Sequence, residues 1–402
     1  MKLLKSAILF EKIIIPTVFG LLFTSCDIKK SDADPSETFT AVYDNPDMNL
    51  ALYPVDFVQT GDKGYLVLSV YTDTALSTFP LIKLMKADKS GKMIKELIVE
   101  NSYCSAVPTL MQQGNALQFT CMDAVNQNIK LLETTEDLSG ITEISELNGK
   151  YPLYLYAAED GFVVLSFDRI ARTSVVTKYS TGGGQVWQKS LNINEDFKNQ
   201  VENHLKKGKQ FPFFIAPAGS STTHYMINCF YNYTMTLLFL NASTGNQTGQ
   251  LNTYQDDAAI SAAVYMASNL FSVSRYYMGE NYIFPSVTLN LDGLQGADTF
   301  EDTRLPELEE NASSKMLMTT IHNKEVIVFA SETKSNRIVL YFFEKPGGRL
   351  MATKSLNSTN PVSVADLIAT DDGGLAILAQ TYVAGRFPRI AIFKVAAGDI
   401  KF

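Results

Sequence analysis

The chain has little of the chemistry that marks most enzyme sites. Its 402 residues include three histidines, four cysteines and one tryptophan. His204, His224 and His322 are scattered over three units without ligand spacing, and no C-x-x-C or Cys/His metal spacing occurs, which argues against metal catalysis. No phosphate loop, nucleophile elbow or zincin helix is present. Basic charge is also scarce: 34 Lys and Arg stand against 42 Asp and Glu, a formal net charge of −8. The one basic cluster, His204 to Lys209, is too small for a nucleic-acid face and reads as a solvated helical insertion. No cofactor, metal or nucleic acid is expected. The apolar run from Ile13 to Phe23 is eleven residues long. A spanning helix needs roughly 20.

What that run does fit is export. Lys2, Lys5 and Lys12 precede it and Thr24-Ser25-Cys26 follows, the positive, apolar, small-residue order of a secretory signal. Phe23-Thr24-Ser25-Cys26 resembles the lipobox of bacterial lipoproteins. That resemblance implies cleavage after Ser25 and lipidation of Cys26, with acyl chains rather than a helix holding the protein to its membrane. The domains expected are a signal peptide over 1–25, a flexible tether over 26–37 and a body over 38–402. The tether has almost no apolar side chain, so nothing offsets the entropy of ordering it. Losing residues 1–25 would take the formal charge from −8 to −10. The Ser-Cys-Asp start and the Asn/Thr/Tyr-rich body resemble Bacteroidota envelope lipoproteins, which implies an outer-membrane anchor, in either the periplasmic or the surface leaflet.

The body repeats itself. A short strand-like phrase ending on a small residue starts at Tyr65, Ala116, Phe162, Tyr225, Leu270, Val326 and Leu375, a period near 50 with two stretched intervals. A second apolar phrase follows each, then a turn glycine: Gly91, Gly140, Gly184, Gly245, Gly293, Gly348 and Gly398. Each unit therefore reads as four short strands joined by turns. That is the form of a WD40-like propeller blade, which cannot bury both faces alone. The fold expected is all-β, a single seven-bladed β-propeller of four-stranded antiparallel blades; stacked β-sandwich domains are the alternative. The last unit ends short of a fourth strand, and Thr38 to Tyr43 has the alternation to supply it, so an N-terminal strand should close the ring. The stretched intervals place insertions near 193–210, with the spacing of a short amphipathic helix, and near 298–314, an acidic surface loop.

Two units, Ser180 to Leu191 and Leu240 to Leu251, resemble the T-G-x-x-x-W turn of quinoprotein-type propellers, a group that includes outer-membrane assembly lipoproteins. With Trp187 alone, the resemblance implies the architecture and not the quinone. Antiparallel meanders put the middle loop of every unit on one rim. Those loops hold Tyr71, Arg169, Arg172, Tyr231, Tyr233, Arg275, Tyr276, Tyr277, Arg337, Tyr382 and Arg386. Tyr and Arg are the residues enriched at binding hot spots. Strand propensity and plain solvation account for the same residues without any site. Cys104 and Cys121 fall across a hairpin, where an oxidising compartment permits a disulfide; two small buried thiols fit equally. Asp371-Asp372 reads as turn chemistry rather than an acid/base pair. The function expected is a non-catalytic binding or scaffold propeller of the envelope, for a protein, peptide or glycan. The alternative is an envelope carbohydrate-active hydrolase or lyase with acids gathered at the central channel.

Overall fold

The computed structural model describes residues 37–44, 50–253, 257–300, 303–382 and 387–402. Cys26 and Arg386 lie outside them, as do residues 45–49. The body is a β-propeller. Each of the seven phrases is a strand at the heart of its unit: Tyr65–Thr72, Ala116–Asp123, Gly161–Asp168, His224–Tyr231, Leu270–Tyr277, Lys324–Thr333 and Leu375–Tyr382. These strands and their next neighbours are buried on both faces, as in Leu81–Ala87 or Pro388–Val395, because sheets pack against them from either side. Hence they read as unbroken apolar runs. Outer strands such as Gln185–Asn192 bury only every fourth or so residue and carry polar side chains between.

The seven separate four-stranded blades expected from the repeat are not what forms. Backbone hydrogen bonds delimit five self-contained blades, four of four strands and one of five, and residues 51–150 form one nine-stranded sheet. The cause is local. Tyr103–Cys104, in the connection between the first two units, pairs with Leu81 on one side and with Met122 and Asp123 on the other, stitching two repeats together. Strand phrases count repeats; hydrogen bonds decide how many sheets they make. The five-stranded blade gains Gly293–Gly296, which adds in parallel to Gln247–Asn252.

The amino-terminal strand closes the ring as the alternation suggested. Phe39–Tyr43 pairs antiparallel with Pro388–Val395, from Phe39 opposite Lys394 to Tyr43 opposite Ile390. Two contacts lock it. Arg389, 2% exposed, donates from Nε to Asp44 at 2.7 Å, and the Tyr43 hydroxyl donates to the Gly91 carbonyl at 2.9 Å. Gly91 has φ +80° and any Cβ there would strike the Phe39 ring, so this turn requires glycine.

A turn motif recurs with it. In Thr60-Gly-Asp62-Lys-Gly64, Asp62 Oδ1 accepts from the Thr60 hydroxyl at 2.6 Å, the Gly64 amide at 3.0 Å and Lys86 at 2.8 Å. In Thr370-Asp-Asp372-Gly-Gly374, Asp372 Oδ1 accepts from Thr370 at 2.6 Å, Gly374 at 3.1 Å and Lys394 at 2.9 Å. Asp371-Asp372 is turn chemistry, as its sequence indicated.

Of the insertions, the first holds the helix Lys198–Leu205, with Val201 and Leu205 buried. The second is not a free acidic loop. Thr303–Arg304 pairs with Tyr282 and Ile283, and Leu305, Leu308 and Ala312 are buried. The leucines of its acidic stretch are anchors.

Candidate functional site

The innermost strands line a central cavity of about 630 Å³. Several of these strands carry a β-bulge at one height. The register slips at Val55 in Ala51–Gln59, at Leu153 in Pro152–Ala158, at Ser261 in Ala258–Ala267 and at Ala365 in Val362–Ala369. A bulge re-aims the side chain that follows it. The residues that follow are Asp56, Tyr154, Ala262 and Asp366. Three of the four are polar, and they meet.

Asp56 is 5% exposed, and its carboxyl lies within hydrogen-bond reach of Asp366, which lines the cavity. Burial raises the Asp56 pKa well above the ordinary carboxylate value, and the charge and hydrogen bond of Asp366 raise it further. The Leu110 amide, which donates to Asp56 Oδ2, and Lys315 pull the other way. Burial and the neighbouring like charge both disfavour the ionised form of Asp56, which is the direction in which its pKa moves. Burial, then Asp56 and Asp366, raise the Tyr154 hydroxyl in turn. Lys315 comes from Ser314–Ile321. Nearby, Glu332 bridges two units, accepting from the Ser313 amide at 2.7 Å and the Val364 amide at 3.1 Å, and burial pushes its pKa up to about 7.

The first insertion reaches over the mouth of the cavity. Ser105 Oγ donates to the Leu205 carbonyl at 3.2 Å, Lys206 Nζ sits 5.1 Å from the Phe79 ring centre, and Phe197 stacks on Phe230 at 4.2 Å. Its residues His204, Lys207, Lys209 and Phe211 join the cavity wall. His204 is structural: Nδ1 accepts from the Phe211 amide at 3.1 Å, and burial, then Lys207, lower its pKa to about 3. Burial, then Lys315, lower Lys207 to about 8. The basic cluster read from sequence as a solvated helix thus turns lysines inward.

The Tyr/Arg residues of the middle loops do not form one platform. Tyr71 and Tyr276 are buried, and Tyr231 is half-buried against the main core. Among those that are described, Tyr276 alone lines the cavity, and burial, then Asp257, push its pKa up to about 12. Arg275 lies 5.3 Å from the Tyr282 ring centre and 5.9 Å from that of Tyr277. Arg169 pairs with Glu202 of the insertion at 3.6 Å. Tyr382 accepts from Gln380 at 2.8 Å. Tyr233 and Arg172 are exposed on separate turns, and Arg337 is exposed at the start of strand Arg337–Glu344.

Cys104, Cys121 and Cys229 are free, buried thiols. Cys104 stands opposite Met122, so Cys121, one residue along, sends its side chain to the other face of the sheet and into a different apolar cluster.

Sequence reasoning missed Asp56, Tyr154, Lys207, Lys315 and Asp366 as a group. One signal was present. Asp56 and Asp366 each lie nine residues before the start of their unit's first phrase, and each interrupts an otherwise apolar strand.

No known family model matches the chain, and no curated protein matches it in sequence. Solved structures do match. The periplasmic gluconolactonase of Pseudomonas aeruginosa is similar at 10% identity over 87% of this chain and 96% of that one, with a TM-score of 0.51. The β-propeller domain of the trilobed protease from Pyrococcus furiosus is similar at 9% identity over 86% and 95%, with a TM-score of 0.47. A dihydro-heme d1 dehydrogenase matches at 12% identity over 91% and 76%, with a TM-score of 0.46. At these identities the likeness is one of fold, the β-propeller.

Proposed function

We propose that this chain is an exported, lipid-anchored binding propeller of the bacterial envelope, whose ligand site is the central chamber. One observation carries the reading: a cavity of about 630 Å³ lined by Asp366, which is in contact with buried Asp56, and by lysines and tyrosines. That volume lies in the range of small-ligand sites, and a concave chamber with a few convergent polar groups is where such ligands are held. The scattering of the Tyr/Arg residues moves the site inward from the rim. A glycan or a peptide end is the class of occupant that such walls accommodate. Affinity capture from detergent-solubilised envelopes tests it: Tyr154→Ala with Lys315→Ala should abolish capture, and capture lost instead with Arg169→Ala and Arg337→Ala would return the site to the rim. The anchor is tested separately. Cys26→Ser should release the protein from the membrane fraction, and retention there would refute lipidation as the tether.

The Asp56–Asp366 pair also favours a second reading, acid–base catalysis. Of two carboxyls in contact, one can donate while the other accepts. Carboxyls in direct contact are closer than the ~5–5.5 Å of a retaining glycosidase. The pair would therefore act as a dyad activating water, rather than as a nucleophile with a separate acid. Product formation from a captured ligand, lost in both Asp56→Asn and Asp366→Asn, is the expected sign; turnover indifferent to both removes this reading.

A further inference from the structure

The charges in the chamber do not match one another. Lys207, Lys209 and Lys315 all line it. Against them on the same walls stand two acids, Asp366 and, at the exposed edge, Glu310. Lys209 is engaged, its ammonium 5.5 Å from the Phe211 ring centre. Lys207 and Lys315 line the same chamber without an ion pair or side-chain hydrogen bond among the described residues, and the charge of Lys315 acts on both Lys207 and Asp56. Two ammonium groups on the walls of one chamber repel, and both gain from an anion placed between them. Asp366, with buried Asp56 behind it, sets a second demand. Its acceptor oxygens suit hydroxyl groups and repel a second anionic charge. Tyr154, Tyr276 and Phe213 supply flat apolar faces on the same walls.

We propose that the chamber takes a carboxylate-bearing sugar, a uronic-acid unit, with its carboxylate between Lys207 and Lys315 and its hydroxyls on Asp366. A single carboxylate meets the small positive excess. A dianionic phosphate would overfill it beside the acid pair. This inference rests on the chamber being the ligand site and adds what it holds.

Calorimetric titration of the full chain tests it, with digalacturonate, the neutral disaccharide of the same linkage and inorganic phosphate as probes. Digalacturonate should bind about tenfold or more tighter than the neutral disaccharide, and Lys207→Met and Lys315→Met should each cost about tenfold, as expected for loss of one charged hydrogen bond. Lys207→Arg should retain binding, which separates lost charge from lost folding. Equal affinity for the two disaccharides, or tighter binding of phosphate, would overturn the uronate assignment. Two failures are distinguishable. A neutral glycan or peptide whose binding is lost with Tyr154→Ala, while digalacturonate is ignored, removes the uronate and keeps the chamber as the site. Digalacturonate binding that survives both lysine variants removes the chamber as well.

Discussion

Replacing Asp372 by alanine should be among the most damaging single changes in the ring, although Asp372 lies in a surface turn. Its carboxylate receives Lys394 Nζ at 2.8 and 2.9 Å, and the Lys394 side chain is 0% exposed. Burial pulls the Lys394 pKa below its usual value while Asp372 supports it. In Asp372 burial acts to raise the pKa, but the bonds from Lys394, Thr370 and Gly374 outweigh it and leave the pKa lowered. Asp372→Ala strands that ammonium, with the Val395 carbonyl at 3.2 Å as its remaining partner. Removing one member of a buried pair costs about 3–5 kcal/mol. An upper limit comes from letting the lysine shed its proton. Neutralising it at pH 7 against an unfolded value of ~10.4 costs about 4.6 kcal/mol at 1.36 kcal/mol per pH unit. Two controls isolate the cause. Asp372→Ala with Lys394→Met should regain most of the loss, because no charge is left behind. Asp62→Ala should cost less, because Asp62 is 57% exposed and water can replace it around Lys86. The sign with pH follows from a lysine whose folded pKa is lowered: the variant's deficit is full at neutral pH and closes as pH approaches ~10.4, where the unfolded chain loses its proton too. Urea denaturation at pH 7 and pH 9.5 reads all of this. A loss under ~1 kcal/mol at pH 7, or a double variant no better than the single, would refute the reasoning.

Deleting residues 38–43 should lower stability by more than about 3 kcal/mol, since the ladder to Pro388–Val395 goes together with the buried Tyr43 and the Phe39 packing; an unchanged melting temperature would count against closure. Glu332 is a buried acid whose folded pKa of about 7 lies above the unfolded value of ~4.3, so its contribution is most favourable at low pH, and stability falls as pH rises from ~4.3 to about 7. Glu332→Gln starts lower, having one acceptor oxygen for the Ser313 and Val364 amides, but should lose this slope; stability curves at pH 5 and pH 7.5 compare the two. Digalacturonate affinity should fall as pH rises through about 8, where Lys207, with Lys315, Lys209, His204 and Glu310 on the same walls, sheds its proton. Lys207→Arg should move that fall to higher pH, and a fall at the same pH in the variant would assign it elsewhere.

The strand phrases, most of the turn glycines and the closing strand were legible along the chain, because each is a local matter of apolar spacing and turn chemistry, whereas the number of blades was not. Asp372 was readable as a turn residue for the same reason. What the spacing could not carry was the pairing across connections. Two residues, Tyr103 and Cys104, joined two repeats into one nine-stranded sheet, and the strand register parted Cys104 from Cys121. The chamber lay further still from sequence. Asp56 and Asp366 are 310 residues apart. Only closure of the ring brings their strands side by side, and only the bulges before them aim both carboxyls at one point. Apolar periodicity determined which segments became strands. The meeting of charges at the axis was decided by the tertiary structure, because a carboxyl's chemistry depends on the neighbours that the fold supplies.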